Sequence, residues 1–319
     1  MFPPFHLLTV DVEDWPQSTL DTSLPIGNRV VANTHAMLDL LQETGVRATF
    51  FVLGKVAEAH PKLAREIAAA GHEVGTHGYS HESVEAMSPK MFRKELHRSV
   101  EILRQQTGQP ILGHRAADFS ISGLSLHLLE HLAEEGLMYD SSIFPIRHPR
   151  YGVPGAWRYP HLIRCRSNQV LVEFPPATIR LARMVLPAAG GGYLRLFPYG
   201  WTRLSLRALE REGFPATCYV HPYELDIYEM DEIPYRVPIL LRWSQSTNRR
   251  TVRRKLQRLT SEFRFKTMSE ACAALGAEQL KVGLDLGKEP VGYASEPEGF
   301  GLFLGRPGSA PAKASLSRR

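Results

Sequence analysis

The chain is poor in cysteine and has no long hydrophobic run. Its three cysteines, Cys165, Cys218 and Cys272, are scattered over 319 residues and form no Cys-x-x-Cys pair. This pattern argues against a disulfide framework and against a zinc site built from cysteines. No apolar stretch reaches the roughly 20 residues that a membrane-spanning helix needs. The first residues also lack the basic head, apolar core and cleavage site of a signal peptide, so we expect a cytoplasmic protein.

The excess of positive charge is small. Lys and Arg number 38 against 33 Asp and Glu, a formal net charge of +5. Much of the excess lies between Arg249 and Arg258, on a predicted helix with an apolar stripe from Val252 to Phe263. A solvated basic helix face explains this cluster better than a nucleic-acid site does, so we expect no nucleic-acid partner. Contact with an anionic membrane surface is the minor alternative, which would place the protein at the periphery of the inner membrane.

Strand patterns alternate with helical patterns along most of the chain. The predicted strands cover residues 5–10, 46–53, 72–76, 110–112, 137–139, 170–174, 215–220 and 264–267. The predicted helices cover residues 30–43, 61–70, 88–108, 125–135, 202–212, 247–263 and 269–275. This order predicts an α/β fold with a parallel sheet covered by helices. An open doubly wound sheet also fits, but the length and the number of units favour an irregular (β/α) barrel of about seven parallel strands.

The domain boundaries follow from composition. Residues 1–282 are predicted to form one catalytic domain with its C-terminal extension, in which the proline- and aromatic-rich segment 144–166 crosses the active face. Beyond residue 283, Gly, Pro, Ser and Ala dominate without periodicity, which predicts a disordered tail over 283–319. No pattern in the sequence sets the oligomeric state.

Two histidines four residues apart, His77 and His81, are the most informative feature. Gly75 and Gly78 argue against a helix here, so we expect the pair on a loop that leaves a strand. Such a loop can supply two ligands of a metal site. Carboxylates at the end of the first strand, in residues 11–14, would add oxygen ligands, a mixture typical of ions that activate water for hydrolysis.

Polar side chains follow several of the predicted strands. Asp11, His77, Arg115, Asp140 and His221 each lie just past a strand. Because the carboxyl ends of parallel strands meet on one face, these side chains are expected to converge on an active site. Each residue alone has a plainer interpretation, such as a helix cap, a surface histidine or a turn residue.

A second histidine pair offers a competing metal site. His127 and His131 match the H-x-x-E-H signature of inverted zinc proteases. They border an apolar stripe on a helix that should pack outside the sheet, so a plain amphipathic helix is the favoured interpretation.

Taken in order, the strand exits resemble the motifs of the polysaccharide deacetylase superfamily, whose core is the NodB homology domain. The matching segments are residues 9–14 (TVDVED), 77–81 (HGYSH), 115–119 (RAADF), 139–145 (YDSSIFP) and 219–222 (YVHP). The resemblance runs from about residue 5 to 280 and implies a NodB-type barrel. Segments 11–15 (DVEDW) and 220–226 (VHPYELD) look most like the exosortase-linked exopolysaccharide branch.

The resemblance implies a role for each site residue. His77, His81 and Glu13 would bind a divalent ion, with zinc expected and cobalt, manganese or nickel as alternatives. Asp11 would be the general base, Arg115 would hold Asp11 in its ionised form, and His221 would be the general acid. Asp140 would organise the site, although a cap at its strand end is an equal alternative.

Two departures from the family pattern leave alternatives open. The commonest first motif has two adjacent aspartates, but Val12 takes the second place here. Glu13 then fits an Asp-x-Asp version of the motif, and Asp14 is the alternative ligand. Ala117 replaces the usual proline after the arginine, which is expected to loosen that loop.

These features predict a carbohydrate N-deacetylase that uses a metal-activated water. Its substrate would be an N-acetylated saccharide of a bacterial exopolysaccharide or of its precursor, free or lipid-linked. One alternative is a hydrolase of cyclic amides or imides, such as allantoin, on the same fold. Another is a carbohydrate-binding relative without activity.

Overall fold

The computed structural model describes residues 5–182, 184–276, 280–288 and 291–295. Its strands are β1 (His6–Val12), β2 (Thr49–Val52), β3 (Glu73–Thr76), β4 (Gly113–His114), β5 (Tyr139–Asp140), β6 (His161–Arg164), β7 (Val170–Glu173), β8 (Thr178–Leu181), β9 (Met184–Pro187), β10 (Thr217–Val220), β11 (Phe265–Lys266) and β12 (Val282–Asp285).

Helices follow most of these strands. They are α1 (Arg29–Thr44), α2 (Gly54–Ala59), α3 (Leu63–Ala69), α4 (Pro89–Thr107), α5 (Glu130–Glu134), α6 (Gly191–Leu196), α7 (Tyr199–Glu212), α8 (Glu229–Glu232), α9 (Ile239–Ser246), α10 (Arg249–Glu262) and α11 (Met268–Leu275). None of these helices combines the length and the apolar character that crossing a membrane requires.

Seven neighbouring strands of the main sheet are parallel, in the order β10-β1-β2-β3-β4-β5-β7. The α/β class and the mostly parallel sheet predicted from the sequence are therefore confirmed. The outer strands do not join through a continuous ladder. A single parallel bridge, Pro176 to Thr217, links the chain just after β7 to β10, and the backbone N–H of Ala177 donates to the carbonyl of Thr217 at 2.9 Å.

Strand β1 lies in the middle of this arrangement. All seven of its residues are buried, and it pairs with β2 on one side and β10 on the other. A parallel strand covered on both faces reads as a continuous apolar run, which is why it was recognisable from the sequence. The short strand β11 also pairs with β1, at His6 and Leu7.

The ends of α4 show why this helix was predictable. Its N-cap is Ser88, whose hydroxyl accepts a hydrogen bond from the backbone N–H of Met91 at 3.3 Å, and Pro89 occupies the first turn. These are typical helix-starting residues. The helix ends at Gly108, whose φ of 66° is left-handed and therefore suits glycine.

The segment between β5 and β10 departs most from expectation. Part of the predicted excursion, 144–166, forms β6, which pairs antiparallel with β7. The hairpin of β8 and β9 forms a separate two-stranded sheet. These strands have four residues each, too short for a periodic pattern to separate them from loops.

The predicted tail begins inside ordered structure. Strand β12 pairs with β6, and the indole N–H of Trp157 donates to the carbonyl of Ala294 at 2.9 Å. The predicted boundary at residue 283 therefore has to move beyond Asp285, because pairing with β6 compensates for the weak local pattern. Residues 289–290 and 296–319 of the predicted tail lie outside the described residues.

Three buried histidines are predicted to make the fold sensitive to acid. Burial lowers the pKa of His6, His72 and His161 from 6.5 to about 4. Below pH 6.5 these histidines bind protons in the unfolded chain but stay neutral in the folded chain. The free energy of unfolding therefore decreases as the pH falls from 6.5 to about 4. For His161 alone, we expect a loss of about 2 kcal/mol between pH 7 and pH 5.

Urea unfolding at several pH values measures this loss. In His161→Gln the dependence on pH should be weaker. Exposed His35, replaced in the same way, is the matched control and should leave the dependence unchanged. Equal slopes for the wild-type protein and His161→Gln would contradict the prediction.

Candidate metal-dependent active site

The parallel sheet brings the predicted polar residues to one end of the strands. Asp11 lies at the end of β1, Glu13 follows it, and His77 follows β3, while Arg115 and His221 follow β4 and β10. All five belong to the contiguous part of the sheet that runs from β10 to β4. Convergence at the carboxyl ends of parallel strands is the usual position of an active site in such folds.

The two histidines lie on an irregular turn, as the glycines indicated. Gly78 has a φ of 72° and His81 a φ of 68°, so the chain takes a left-handed conformation twice within four residues. For a residue other than glycine this conformation is strained, and such strain is concentrated at functional sites. The first residue of α2 stabilises this turn, since the backbone N–H of Gly54 donates to the carbonyl of Gly78 at 2.9 Å.

Glu13, His77 and His81 form a buried cluster, which we call the ligand cluster. Oε2 of Glu13 lies 2.5 Å from Nε2 of His81 and 3.5 Å from Nε2 of His77. The Nδ1–H of His77 donates to the carbonyl of Arg115 at 2.8 Å, which leaves Nε2 as the free acceptor facing Glu13. Burial alone would raise the pKa of Glu13, but the two histidines hold it well below its ordinary value.

The ligand cluster suits a divalent ion. Among the described residues, it is the one set of three histidine, cysteine, aspartate or glutamate side chains whose candidate ligand atoms all lie within 4.8 Å of one another. Two imidazole nitrogens and one carboxylate oxygen are a typical donor set for zinc, and they also accept cobalt, nickel or manganese. Three protein ligands leave coordination positions open, as a catalytic ion requires.

Asp14, the alternative ligand, lies outside the ligand cluster. Its Oδ2 accepts a hydrogen bond from the backbone N–H of Gly27 at 2.9 Å. Burial raises the pKa of Asp14, whereas that of Glu13 is lowered. The geometry therefore favours Glu13, and Asp14 fastens the loop before α1.

Arg115 is fully buried and fixes Asp11. Its Nη1 donates to Oδ1 of Asp11 at 2.8 Å and to the hydroxyl of Thr9 at 2.7 Å. Its Nε and Nη2 donate to the carbonyl and hydroxyl of Ser141 at 3.1 and 2.7 Å. This fork uses one oxygen of Asp11 and leaves the other, Oδ2, facing His221.

Replacing Arg115 by alanine should destabilise the fold by about 3–5 kcal/mol, because it leaves the buried carboxylate of Asp11 without its partner. The free energy of unfolding in urea measures the effect. Arg98→Ala is the matched control: Arg98 pairs with Glu58 at 2.7 Å, but both side chains are about half exposed. That variant should lose less than about 1 kcal/mol. Equal losses in the two variants would contradict the role given to Arg115.

His221 lies on the other side of Asp11. Its Nε2 is 4.0 Å from Oδ2 of Asp11 and 3.7 Å from Oε1 of Glu13, while its Nδ1 is 3.4 Å from Oε2 of Glu224. The ring stacks on Tyr223 with 4.7 Å between centroids. Burial would lower the pKa of His221, but the bond to Glu224 and the charges of Glu13 and Asp11 raise it to about 9.

Glu224 and Arg195 are site residues that the sequence interpretation missed. Glu224 is buried, accepts from the backbone N–H of His221 at 3.1 Å and lies 3.4 Å from Nε of Arg195. The spacing of three residues between His221 and Glu224, in a turn opened by Pro222, was an available signal. Arg195 comes from α6 and belongs to no motif, so nothing in the sequence pointed to it.

Asp140 is placed beside the site, not against the ligand cluster. Oδ1 of this buried carboxylate accepts from Nδ1 of His114 at 2.8 Å and from the hydroxyl of Ser142 at 2.7 Å. The same hydroxyl accepts from the backbone N–H of Ala116 at 2.8 Å, next to Arg115. Asp140 thus supports the loop that carries Arg115, and Ala117 in that loop is itself buried.

His127 and His131, the competing pair, are not part of the ligand cluster. His127 is exposed, and Nδ1 of His131 bonds to Glu134 at 2.8 Å. The structure therefore gives no second ligand set at this pair among the described residues.

A cleft opens above the ligand cluster, with aromatic side chains in its wall. The residues that line this cleft include Asp11, Glu13, His77, Tyr151, Tyr219 and His221. Tyr219 packs edge-on to Phe119, with 4.8 Å between ring centroids, and Tyr151 stacks against Phe144. Aromatic carbon beside a polar centre suits a ligand that has both apolar and polar groups.

Two family models match the chain. Residues 14–132 match "Polysaccharide deacetylase", and residues 141–273 match "Domain of unknown function (DUF3473)". The first segment contains both histidines of the ligand cluster and begins just after Glu13, and the second contains His221, Glu224 and Arg195.

Curated relatives are similar over part of their length. A peptidoglycan deacetylase of Helicobacter pylori is 36% identical over 107 residues, 34% of this chain and 36% of that protein. A chitooligosaccharide deacetylase of Rhizobium leguminosarum bv. trifolii is 36% identical over 81 residues, 25% of this chain and 38% of that protein. The chain thus spans little more than a third of the length of these relatives.

Solved structures agree in fold. A putative polysaccharide deacetylase from Mycobacterium smegmatis has a TM-score of 0.60 at 22% identity, covering 88% of this chain and 97% of that one. A probable polysaccharide deacetylase from Pseudomonas aeruginosa PAO1 has a TM-score of 0.56 at 14% identity, covering 84% and 89%. Together, the family model and the relatives support a polysaccharide deacetylase domain in this chain.

Proposed function

We propose that the chain is a metal-dependent N-deacetylase that removes acetyl groups from amino sugars of a bacterial exopolysaccharide or of its precursor. One observation carries the proposal. The ligand cluster of Glu13, His77 and His81 lies beside a carboxylate and an imidazole, Asp11 and His221, which are 4.0 Å apart and available as a base and an acid.

Asp11 is suited to accept a proton from water. Arg115 occupies Oδ1, so Oδ2 is the oxygen that faces the cleft. A divalent ion held by the ligand cluster would acidify a water and polarise the acetyl carbonyl. Asp11 would take the proton of that water as general base, in a position that Arg115 keeps unchanged during the reaction.

His221 is suited to give a proton. The bond to Glu224 and the charges of Glu13 and Asp11 raise the pKa of His221 to about 9, which favours the protonated imidazole that a general acid needs. Its Nε2 faces Asp11 and Glu13, while Glu224 holds Nδ1. When the C–N bond of the acetamide breaks, the Nε2 proton would pass to the departing amine, and the products are acetate and the free amino sugar.

The substrate class is supported by the cleft and by the comparisons. Tyr151 and Tyr219 line the cleft and add aromatic carbon to its wall, and the relatives are named as deacetylases of peptidoglycan and of chitooligosaccharides. The finer proposal, an exopolysaccharide, is supported by the resemblance of residues 11–15 and 220–226 to the exosortase-linked branch. We propose a location in the cytoplasm, at the periphery of the inner membrane, where a lipid-linked precursor is accessible.

Metal content and acetate release test the proposal together. The purified protein should hold about one zinc, cobalt, nickel or manganese ion per chain and release acetate from N-acetylglucosamine oligomers. Chelation should stop the release, and adding back the ion should restore it. Acetate release that persists after chelation would contradict the mechanism.

The same samples separate the alternatives. Turnover of allantoin or another cyclic amide, without acetate release from the oligomers, would favour a cyclic amide hydrolase. Tight binding of metal and oligomer without either reaction would favour a carbohydrate-binding relative. The presence of a base, an acid and an ion site in one cleft supports hydrolysis, because a protein that only binds carbohydrate needs neither a base nor an acid.

A further inference from the structure

Helix α9 presents a bare apolar face to solvent. Ile239, Leu240 and Trp243 have 84%, 81% and 69% of their surface exposed, among the highest values for large apolar side chains in the described part of the chain. Positions 239, 240 and 243 lie on one side of a helix. We call this set the α9 patch. Exposed apolar groups that cluster in this way mark an interaction surface.

The opposite side of helix α9 contacts the rest of the protein. Leu241 packs against a buried cluster that includes Trp15 and Tyr223. Nη1 of Arg195 donates to the carbonyls at the helix end, those of Ser244 and Gln245, the latter at 2.9 Å. The outward position of the patch is therefore set by packing and hydrogen bonds.

The patch is also close to the active-site cleft. Gln245, in the last turn of α9, lines the cleft together with His221. Arg195, which binds the end of α9, pairs with Glu224, and Glu224 in turn contacts His221. A surface docked on α9 would thus lie beside the entrance to the site.

The charges around the patch favour an anionic surface. In the sequence, Arg236 lies three residues before Ile239 and Arg250 seven residues after Trp243; both are exposed, and neither forms an ion pair with another described residue. The nearby acids are already occupied, since Asp231 pairs with Arg242 at 3.6 Å and Glu232 pairs with Arg29 at 2.8 Å. Two guanidinium groups that have no carboxylate partner in the described part of the chain are suited to phosphate oxygens.

The size of the patch argues against a second copy of the chain. At about 150–250 Å² for each whole side chain, and with 84%, 81% and 69% of that surface exposed, the three side chains supply roughly 350–600 Å². A stable protein dimer buries about 800 Å² on each partner. A bilayer needs no such area, because a short helix with apolar residues, an interfacial tryptophan and flanking arginines can lie in the headgroup region.

We propose that the α9 patch, with Arg236 and Arg250, binds the surface of an anionic phospholipid bilayer and turns the cleft entrance toward it. The binding is interfacial and does not depend on turnover. It rests on the proposed location at the inner membrane and names the surface that makes the contact, whereas the proposed deacetylase activity on soluble substrates does not depend on it.

Vesicle co-sedimentation of the full chain tests this. Vesicles of phosphatidylglycerol and phosphatidylcholine should bind the protein, and vesicles of phosphatidylcholine alone should bind it at least about tenfold more weakly. Of the four tryptophans, Trp15 and Trp157 are buried and Trp243 is the most exposed. A blue shift of tryptophan fluorescence on the anionic vesicles should therefore come from Trp243. The shift should be absent in Trp243→Phe, although this variant should still co-sediment with the anionic vesicles.

The double variant Leu240→Ser, Trp243→Ser should bind the anionic vesicles about 100-fold more weakly, roughly tenfold for each large apolar side chain lost. Leu124→Ser is the matched control, since Leu124 is also 81% exposed but lies outside the patch; it should bind like the wild-type protein. Arg236→Gln with Arg250→Gln should remove the preference for anionic lipid.

Three outcomes would overturn the proposal. They are no binding of the wild-type protein to anionic vesicles, equal binding by the double variant, and a concentration-dependent dimer that the double variant abolishes. Acetate release from soluble oligomers is measured on the same samples. The double variant should keep it at the wild-type level, so a loss of vesicle binding is not confused with a failure of the proposed activity.

Discussion

Replacing His77 by alanine is expected to remove the metal ion and to lower acetate release by about 10³-fold or more. The variant leaves two protein ligands, Glu13 and His81, where a catalytic ion ordinarily has three. The stabilisation that an ion gives to the reacting carbonyl is worth several kcal/mol, so its loss costs at least this factor. Metal analysis and acetate assay of the same preparation measure both effects.

His127→Ala is the matched control for this variant. His127 is exposed, and its Nδ1 bonds to the carbonyl of Leu124 at 3.1 Å. Metal content and acetate release should both stay at the wild-type level. If His127→Ala lost the metal and His77→Ala kept it, the ion would belong to the H-x-x-E-H pair and the proposed site would be wrong.

Asp11→Asn is expected to keep the metal but lower turnover by about 10²–10⁴-fold. The amide keeps the size of the carboxylate and can still contact Arg115, but it cannot take a proton from water. Asp11 is not one of the three residues of the ligand cluster, so metal content should not change. The turnover number, measured with metal content and the free energy of unfolding, distinguishes loss of the base from loss of the fold.

Asp14→Asn provides the comparison for Asp11→Asn. Its carboxylate bonds to the backbone of Gly27 and lies outside the ligand cluster, so turnover and metal content should both be retained. An empty metal site in Asp11→Asn would make Asp11 a ligand. An empty site in Asp14→Asn would move the carboxylate ligand from Glu13 to Asp14.

The fold was predictable where helix and strand patterns are long. Strand β1 is a continuous buried run, and α4 carries a serine cap, a proline and a terminal glycine that can be read directly. The four-residue strands β6, β8 and β9 were not predictable, because their pairing depends on contacts made after the chain has folded. Strand β12 is held by β6, more than 100 residues earlier, which no local pattern reveals.

The candidate site was also predictable only in part. Asp11, His77, Arg115 and His221 were recognisable because each follows a strand, and the parallel sheet then brings them together. The choice of Glu13 over Asp14 needed the geometry, since both follow β1 and only the fold shows which side chain faces the histidines. Arg195 reaches Glu224 only through the packing of α6, so it carried no signal in the sequence.

The pairing of β1 with β10 has a consequence for how the chain folds. Leu7 is in register with Thr217, so about 200 residues must be synthesised before β1 gains this neighbour. Contacts between such distant residues form late, because a long loop has to close first. Until then one edge of β1 is an unpaired strand, which can associate with other chains. His221 follows β10, so the proposed acid reaches the ligand cluster only once this pairing has formed, and we expect a nascent chain to assemble the proposed ion site before the proposed acid is in place.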